Sequence, residues 1–243
     1  TARISHFNKN RMTKRKHKRE KAQLFQALTQ QTQGHSSTTD HDTPIPEQAL
    51  AHLPNLATLT PSGSLPKMKK FRFQLMHAWL LHRLPPGRVA DVGGGKGLLA
   101  YLLQQSGWQA TVIDPVAQPL PDKYKDLGLN RRVKIGANET VPHISQPFSP
   151  EMADAFDLLV SMHAHGCNVQ LIDVAAAKGK PIILLPCCII DEPLLPAPGQ
   201  HWIACLVEYA LAKNLTVEPF RLNFRGQNIG LYIYNDTTSN SIA

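Results

Sequence analysis

Along the chain, apolar positions first settle into a sustained period at Phe71. Phe71, Phe73, Leu75, Met76, Trp79, Leu80 and Leu84 recur near helical spacing, and Pro85-Pro86-Gly87 ends the run. Short apolar runs and helix-like stretches then alternate. RVADV (88–92) reads as a strand and LLAYLLQQ as a helix, followed by QATVID (109–114) as the second strand and RVKIG (132–136) as the third. FDLLVS (156–161), a helix through VQLIDVAAAK, KPIILLP (180–186) and a helix across HWIACLVEYALAK (201–213) continue the alternation. TVEPFRLNF and NIGLYIY close the pattern with only a short link at Arg225-Gly226-Gln227, which predicts an antiparallel hairpin rather than another crossover. The expected fold is α/β, a doubly wound and mainly parallel sheet covered on both faces.

The chain ahead of this pattern has a different character. Residues 34–65 are rich in Ser, Thr, Pro and His without a sustained period, and read as a linker between an arm at 1–33 and a domain at 66–243. Residues 22–33 suit a short helix extending the arm. Charge sharpens the division. Arg3, Lys9, Arg11, Lys14, Arg15, Lys16, Lys18, Arg19 and Lys21 stand against the single acid Glu20, which accounts for the whole net charge of +8. A segment of this composition cannot bury a core of its own, and it suits a polyanion held by counterion release. RNA is therefore the expected partner of residues 3–21, against the plainer reading of a solubilising or localising tail. No apolar run is long enough to span a bilayer, and the first thirty residues lack a signal-peptide core. Adjacent Cys187 and Cys188, with Cys167 and Cys205, argue against a disulfide framework, so a reducing compartment such as the cytoplasm is expected.

Chemistry concentrates where the strands end. VADVGGGKG puts Gly93, Gly94 and Gly95 at the turn from the first strand into the next helix, where positive φ and close backbone approach are needed and helix N–H groups meet a ligand. Asp114 closes the second strand about twenty residues on, a position from which a carboxylate takes both hydroxyls of a ribose. Lys96-Gly97-Leu98 lacks the hydroxyl of a phosphate-binding loop, and the glycines fit the dinucleotide fingerprint only loosely.

The stretch resembles the first motif of class I S-adenosylmethionine (SAM)-dependent methyltransferases, with Asp91 just ahead of the glycine loop and Asp114 as that family's acid after strand two. The resemblance covers roughly residues 66–234. It implies a seven-stranded Rossmann-like sheet, SAM as cofactor, and Asp91, Gly93, Gly94, Gly95, Asp114, Asn138 and Met162 as cofactor-binding positions, Asn138 standing just past strand three where the family contacts adenine. The plain structural reading of Asp91 and Gly93 is a capping acid and a turn.

SMHAHGCN (161–168) follows strand four and PCC (186–188) follows strand five, so His163, His165, Cys167, Cys187 and Cys188 are expected to converge. These segments resemble a subgroup of the family with a His-containing turn and a Cys-Cys pair at those places, which includes tRNA-modifying enzymes, some acting on a ribose 2′-hydroxyl. Four roles stay open. A histidine serves as base or orients the acceptor, a cysteine adds to a pyrimidine, the group binds zinc, or the cysteines are buried packing residues. The reading taken is a SAM-dependent methyltransferase of tRNA or rRNA with His163, His165 and Cys187 at the acceptor side and no metal required. The alternatives are a small-molecule or protein acceptor, and a non-catalytic RNA-docking module. Trp202 is either a base-stacking platform or a core aromatic, and Arg225, Gln227 and Asn228 read as a turn ahead of an acceptor contact.

Overall fold

The computed structural model describes residues 19–33, 71–224 and 226–236. Arg3 to Lys18 of the basic arm, the linker at 34–65 and Arg225 lie outside the described residues. Helix α1 spans 19–32, α2 Arg72–Arg83, β1 Arg88–Val92, α3 Leu98–Gln104 and β2 Gln109–Ile113. After β3 (Lys123–Lys125), β4 (Arg132–Lys134) and β5 (His143–Ile144), a 3-10 turn at Pro150–Ala155 leads into β6, Leu158–Met162. Helix α4 (Asn168–Lys178), β7 (Ile182–Leu185), α5 (Trp202–Leu211), β8 (Thr216–Arg221) and β9 (Ile229–Tyr234) complete the order.

Seven strands form one sheet in the order β5-β2-β1-β6-β7-β9-β8. The first five run parallel, and β9 is antiparallel to both β7 and β8. The α/β doubly wound fold expected from the sequence is the one observed. Its central strands are apolar throughout because both faces are covered. Alternate side chains divide between two clusters. Ala90, Leu159, Ile182 and Leu184 pack with α4 and α5 on one face. Val89, Val160, Ile183 and Leu185 pack with α2 and α3 on the other.

One strand differs from expectation. Arg132–Lys134 does not enter the main sheet but pairs antiparallel with Lys123–Lys125 in a separate ribbon. The third parallel position is taken by His143–Ile144, bonded to Val112 and Ile113. Its two residues are too few to produce a periodic signal. Asn138 therefore sits in an exposed turn ahead of the third strand of the main sheet, not past it. The position just beyond that strand is held by Ser145.

Helix α1 is seated on the domain. Leu24, Phe25, Leu28 and Thr32 face inward at helical spacing, with Phe25 and Leu28 joining the cluster that holds Trp202, Ile203 and Leu206. Lys21 at its first turn donates to the carbonyl of Gly226 in the β8–β9 loop. Among the described residues, no helix is long and apolar enough to cross a membrane.

Candidate functional site

Because β1, β2, β6 and β7 are parallel and adjacent, their carboxyl ends open on one edge of the sheet, where the strand order reverses between β1 and β6. Val92 leads there into Gly93, Ile113 into Asp114, Met162 into His163, and Leu185 into Pro186. The β8–β9 loop belongs to the same edge, since β8 ends and β9 begins beside the end of β7.

The glycine loop is built by contacts that a side chain would break. Gly93 has φ +69°, and a Cβ there would lie 2.4 Å from the Cβ of Ala164, so the β1 loop and the β6 turn touch. A Cβ on Gly94 would lie 2.5 Å from Oδ2 of Asp91. Gly95 also has positive φ, +55°, yet its vacant Cβ direction meets only Gln118 at 4.0 Å. The N–H of Gly93 donates to Ile113 O at 2.8 Å, and that of Gly97 to Gly94 O at 3.0 Å, closing the turn into α3.

Asp114 accepts from the Gly95 N–H at 3.0 Å and from the Val116 N–H at 2.9 Å, one on each oxygen. A carboxylate takes about four such bonds, so capacity for a pair of hydroxyls remains. Asp91 is fully buried below the loop. Burial pushes its carboxyl up to about 7, the Ala100 backbone N–H pulls it back, and the negative charge of Asp114 raises it further. Its Oδ2 has no hydrogen-bond partner among the described residues. Met162 ends β6 with its side chain buried in the cluster shared with α2 and α3.

The turns after β6 and β7 are bound to each other. The N–H of His163 donates to Leu185 O at 3.1 Å, and that of Gly166 to Ile190 O at 3.1 Å. Glu192, buried, reaches back to the start of α4 and accepts from Asn168 N at 3.0 Å, Asn168 Nδ2 at 2.5 Å and Val169 N at 3.1 Å. Helix α4 has no side-chain cap of its own at Cys167, so this carboxylate supplies the cap from the other turn. Two non-glycine residues with positive φ, His163 at +58° and Asp191 at +60°, bracket the construction, and such backbone gathers where surrounding structure over-determines it.

The expected His and Cys convergence holds for part of the set. His165, Cys187 and Cys188 bring their ligand atoms within 4.8 Å of one another, with Sγ to Sγ 3.4 Å between the cysteines. Cys167 does not join them. It is buried against Ser161 Oγ at 3.3 Å, and burial above all pushes its thiol up to about 11. His163 meets the group through its backbone, its carbonyl accepting from Cys187 Sγ at 3.8 Å, while its ring lies edge-on to Phe224, centroids 6.2 Å apart. None of the four cysteines is in a disulfide, and Cys205 lies in the core of α5.

Trp202 is a core aromatic, and Asn228 is buried with Nδ2 donating to Leu222 O at 2.7 Å, so both serve the framework. Three basic side chains meet beside the β8–β9 loop. Lys21 is lowered by burial and then by Arg221, and His201 by burial and then by Lys21. Sequence reasoning missed Glu192, which sits in an irregular loop with no period to mark it, and missed the seating of Lys21, whose signal was charge alone.

No family model and no curated protein matches the chain. Among solved structures it is similar to the ribosomal protein L11 methylase of Lactobacillus delbrueckii subsp. bulgaricus, with 20% identity, 68% of this chain and 76% of that chain covered, and a TM-score of 0.40. It is also similar to the magnesium protoporphyrin IX methyltransferase of Synechocystis with bound SAM, at 14% identity, 69% and 79% coverage and a TM-score of 0.42. A third is the 1,6-didemethyltoxoflavin-N1-methyltransferase of Burkholderia thailandensis with bound S-adenosylhomocysteine, at 14% identity, 83% and 93% coverage and a TM-score of 0.41.

Proposed function

We propose that this chain is a SAM-dependent methyltransferase acting on RNA. The cleft residues fit such a cofactor. Gly93 and Gly94 let the backbone close tightly over Asp91, Gly95 leaves its face open, and Asp114 keeps acceptor capacity for a ribose diol. When bound, SAM supplies an electrophilic methyl group on a sulfonium. The protein's part is alignment of the acceptor against it. His163, on the turn that touches the glycine loop through Ala164, is suited to hold the acceptor or take its proton. Phe224 lies edge-on against that ring.

The observation that carries the choice of RNA is the attachment of α1. Lys21 bonds to Gly226 in the same loop that sends Phe224 against His163, with Arg221 and His201 beside it. Lys21, the last basic residue of that stretch of sequence, reaches the rim of the cleft, which supports a role for the arm in holding a phosphate backbone while the base or ribose enters.

The test is transfer of labelled methyl from SAM to total RNA by the full chain, by Asp114→Ala and by a chain lacking residues 1–18. The truncation stops short of α1 because Phe25 and Leu28 belong to the core. Label in RNA, lost in Asp114→Ala and sharply reduced by truncation or raised salt, is the expected result. Label only in protein or small molecules would overturn the RNA acceptor.

A further inference from the structure

We propose that His165, Cys187 and Cys188 form a binding site for a thiophilic divalent cation of the zinc class. Thiolate and imidazole are the ligands this ion prefers, with metal–sulfur distances of about 2.3 Å and metal–nitrogen distances of about 2.0 Å. In a tetrahedral site two such sulfurs stand about 3.8 Å apart. The two Sγ atoms are 3.4 Å apart, and the histidine nitrogen lies within 4.8 Å of both, so sub-ångström to ångström movements bring all three to bonding distance.

The surroundings hold these ligands in place before any ion arrives. The two turns that carry them are joined by His163 N to Leu185 O, by Gly166 N to Ile190 O and by the Glu192 clamp. Gly166 has φ +68°, and a Cβ there would lie 3.0 Å from the Cβ of Asp191, so the turns meet with no space for a side chain. Prearrangement of this kind is what a metal site requires of its supporting residues. His165 is exposed while the cysteines are half-buried, which leaves the ion an entry path from solvent. Among the described residues no fourth His, Cys, Asp or Glu joins the group. The remaining position falls to water or an acceptor atom, the arrangement of an open rather than a closed zinc site.

This site does not depend on the methyltransferase reading, because His165 and Cys187 act here as ligands and the ion can be measured without SAM. Zinc chloride would be titrated into metal-free full-length protein against a chromophoric chelator, under a non-thiol reductant. Binding of one zinc per chain is expected, weakened about tenfold or more in each of His165→Ala, Cys187→Ser and Cys188→Ser. The exposed His82→Ala serves as a control and should match wild type. Substitution by cobalt should add a thiolate-to-metal charge-transfer band in the near ultraviolet, a readout that needs no variant to fold. Absence of that band in wild type, or zinc affinity unchanged in Cys187→Ser/Cys188→Ser, would overturn the site. Neither result touches SAM binding, which calorimetry reads separately.

Discussion

Glu192→Gln isolates the contact that ties the two site turns together. The wild-type carboxylate accepts three hydrogen bonds across the gap, from Asn168 N, Asn168 Nδ2 and Val169 N, and sits at the positive end of α4. Hydrogen bonds to a charged group contribute about 1.5–3 kcal/mol each and do not simply add. The amide keeps one acceptor oxygen. Its NH₂ must face at least one backbone N–H, so one bond is lost, one buried donor is left unmet, and the favourable charge at the helix terminus disappears. The expected cost is about 3 kcal/mol. For a chain of this size that corresponds to a fall in Tm of roughly 6–12 °C. Calorimetry or circular dichroism gives the Tm. Hydrogen exchange should quicken in 163–169 and 186–192 and stay unchanged in the β8–β9 hairpin. A loss below about 0.5 kcal/mol, the range of an ordinary surface change, would refute the clamp.

The other predictions concern the floor of the cleft, its loop and the docked helix. Burial lifts the Asp91 carboxyl to about 7, well above the ordinary carboxylate range, so its protonated form stabilises the fold below about pH 4 and that contribution is lost as pH rises towards 7. Asp91→Asn removes this component. Denaturant midpoints should show the variant gaining on wild type by on the order of 4 kcal/mol between pH 4 and 7, and parallel profiles would count against it. Gly93→Ala meets both a positive φ and the Ala164 Cβ at 2.4 Å, so SAM affinity by calorimetry should fall more than about tenfold. An unchanged affinity would mean the loop is not the cradle described. Leu28→Ala should cost about 2–5 kcal/mol in thermal melts, because Leu28 is only 1% exposed, whereas a negligible change would detach α1 from the core.

Much of the fold was legible because parallel strands buried on both faces leave unbroken apolar runs. RVADV matches β1 residue for residue, and NIGLYIY marked the antiparallel closing strand. The miss at Arg132–Lys134 has a physical cause. Its alternation suits a strand in any sheet, while His143–Ile144 makes only two residue pairs with β2, too few to leave a period. The error carried Asn138 to the wrong side of the third strand. At the site, the glycines and Asp114 could be read because backbone geometry restricts which residues fit there. The division of the His and Cys residues could not. Cys167 turns inward to Ser161 rather than joining Cys187, and the start of the helix that follows it is capped by Glu192, 24 residues beyond Asn168. Contacts of that range leave no local pattern.

Titration of the metal-free full-length protein with SAM in a calorimeter tests the central claim most directly. One SAM bound per chain, with binding abolished in Asp114→Ala while that variant, weakened by the loss of its two backbone hydrogen bonds, still unfolds in one cooperative transition above the assay temperature, is the predicted result. No measurable binding to the wild-type chain, or binding that Asp114→Ala leaves intact, would contradict the assignment of this cleft to the cofactor.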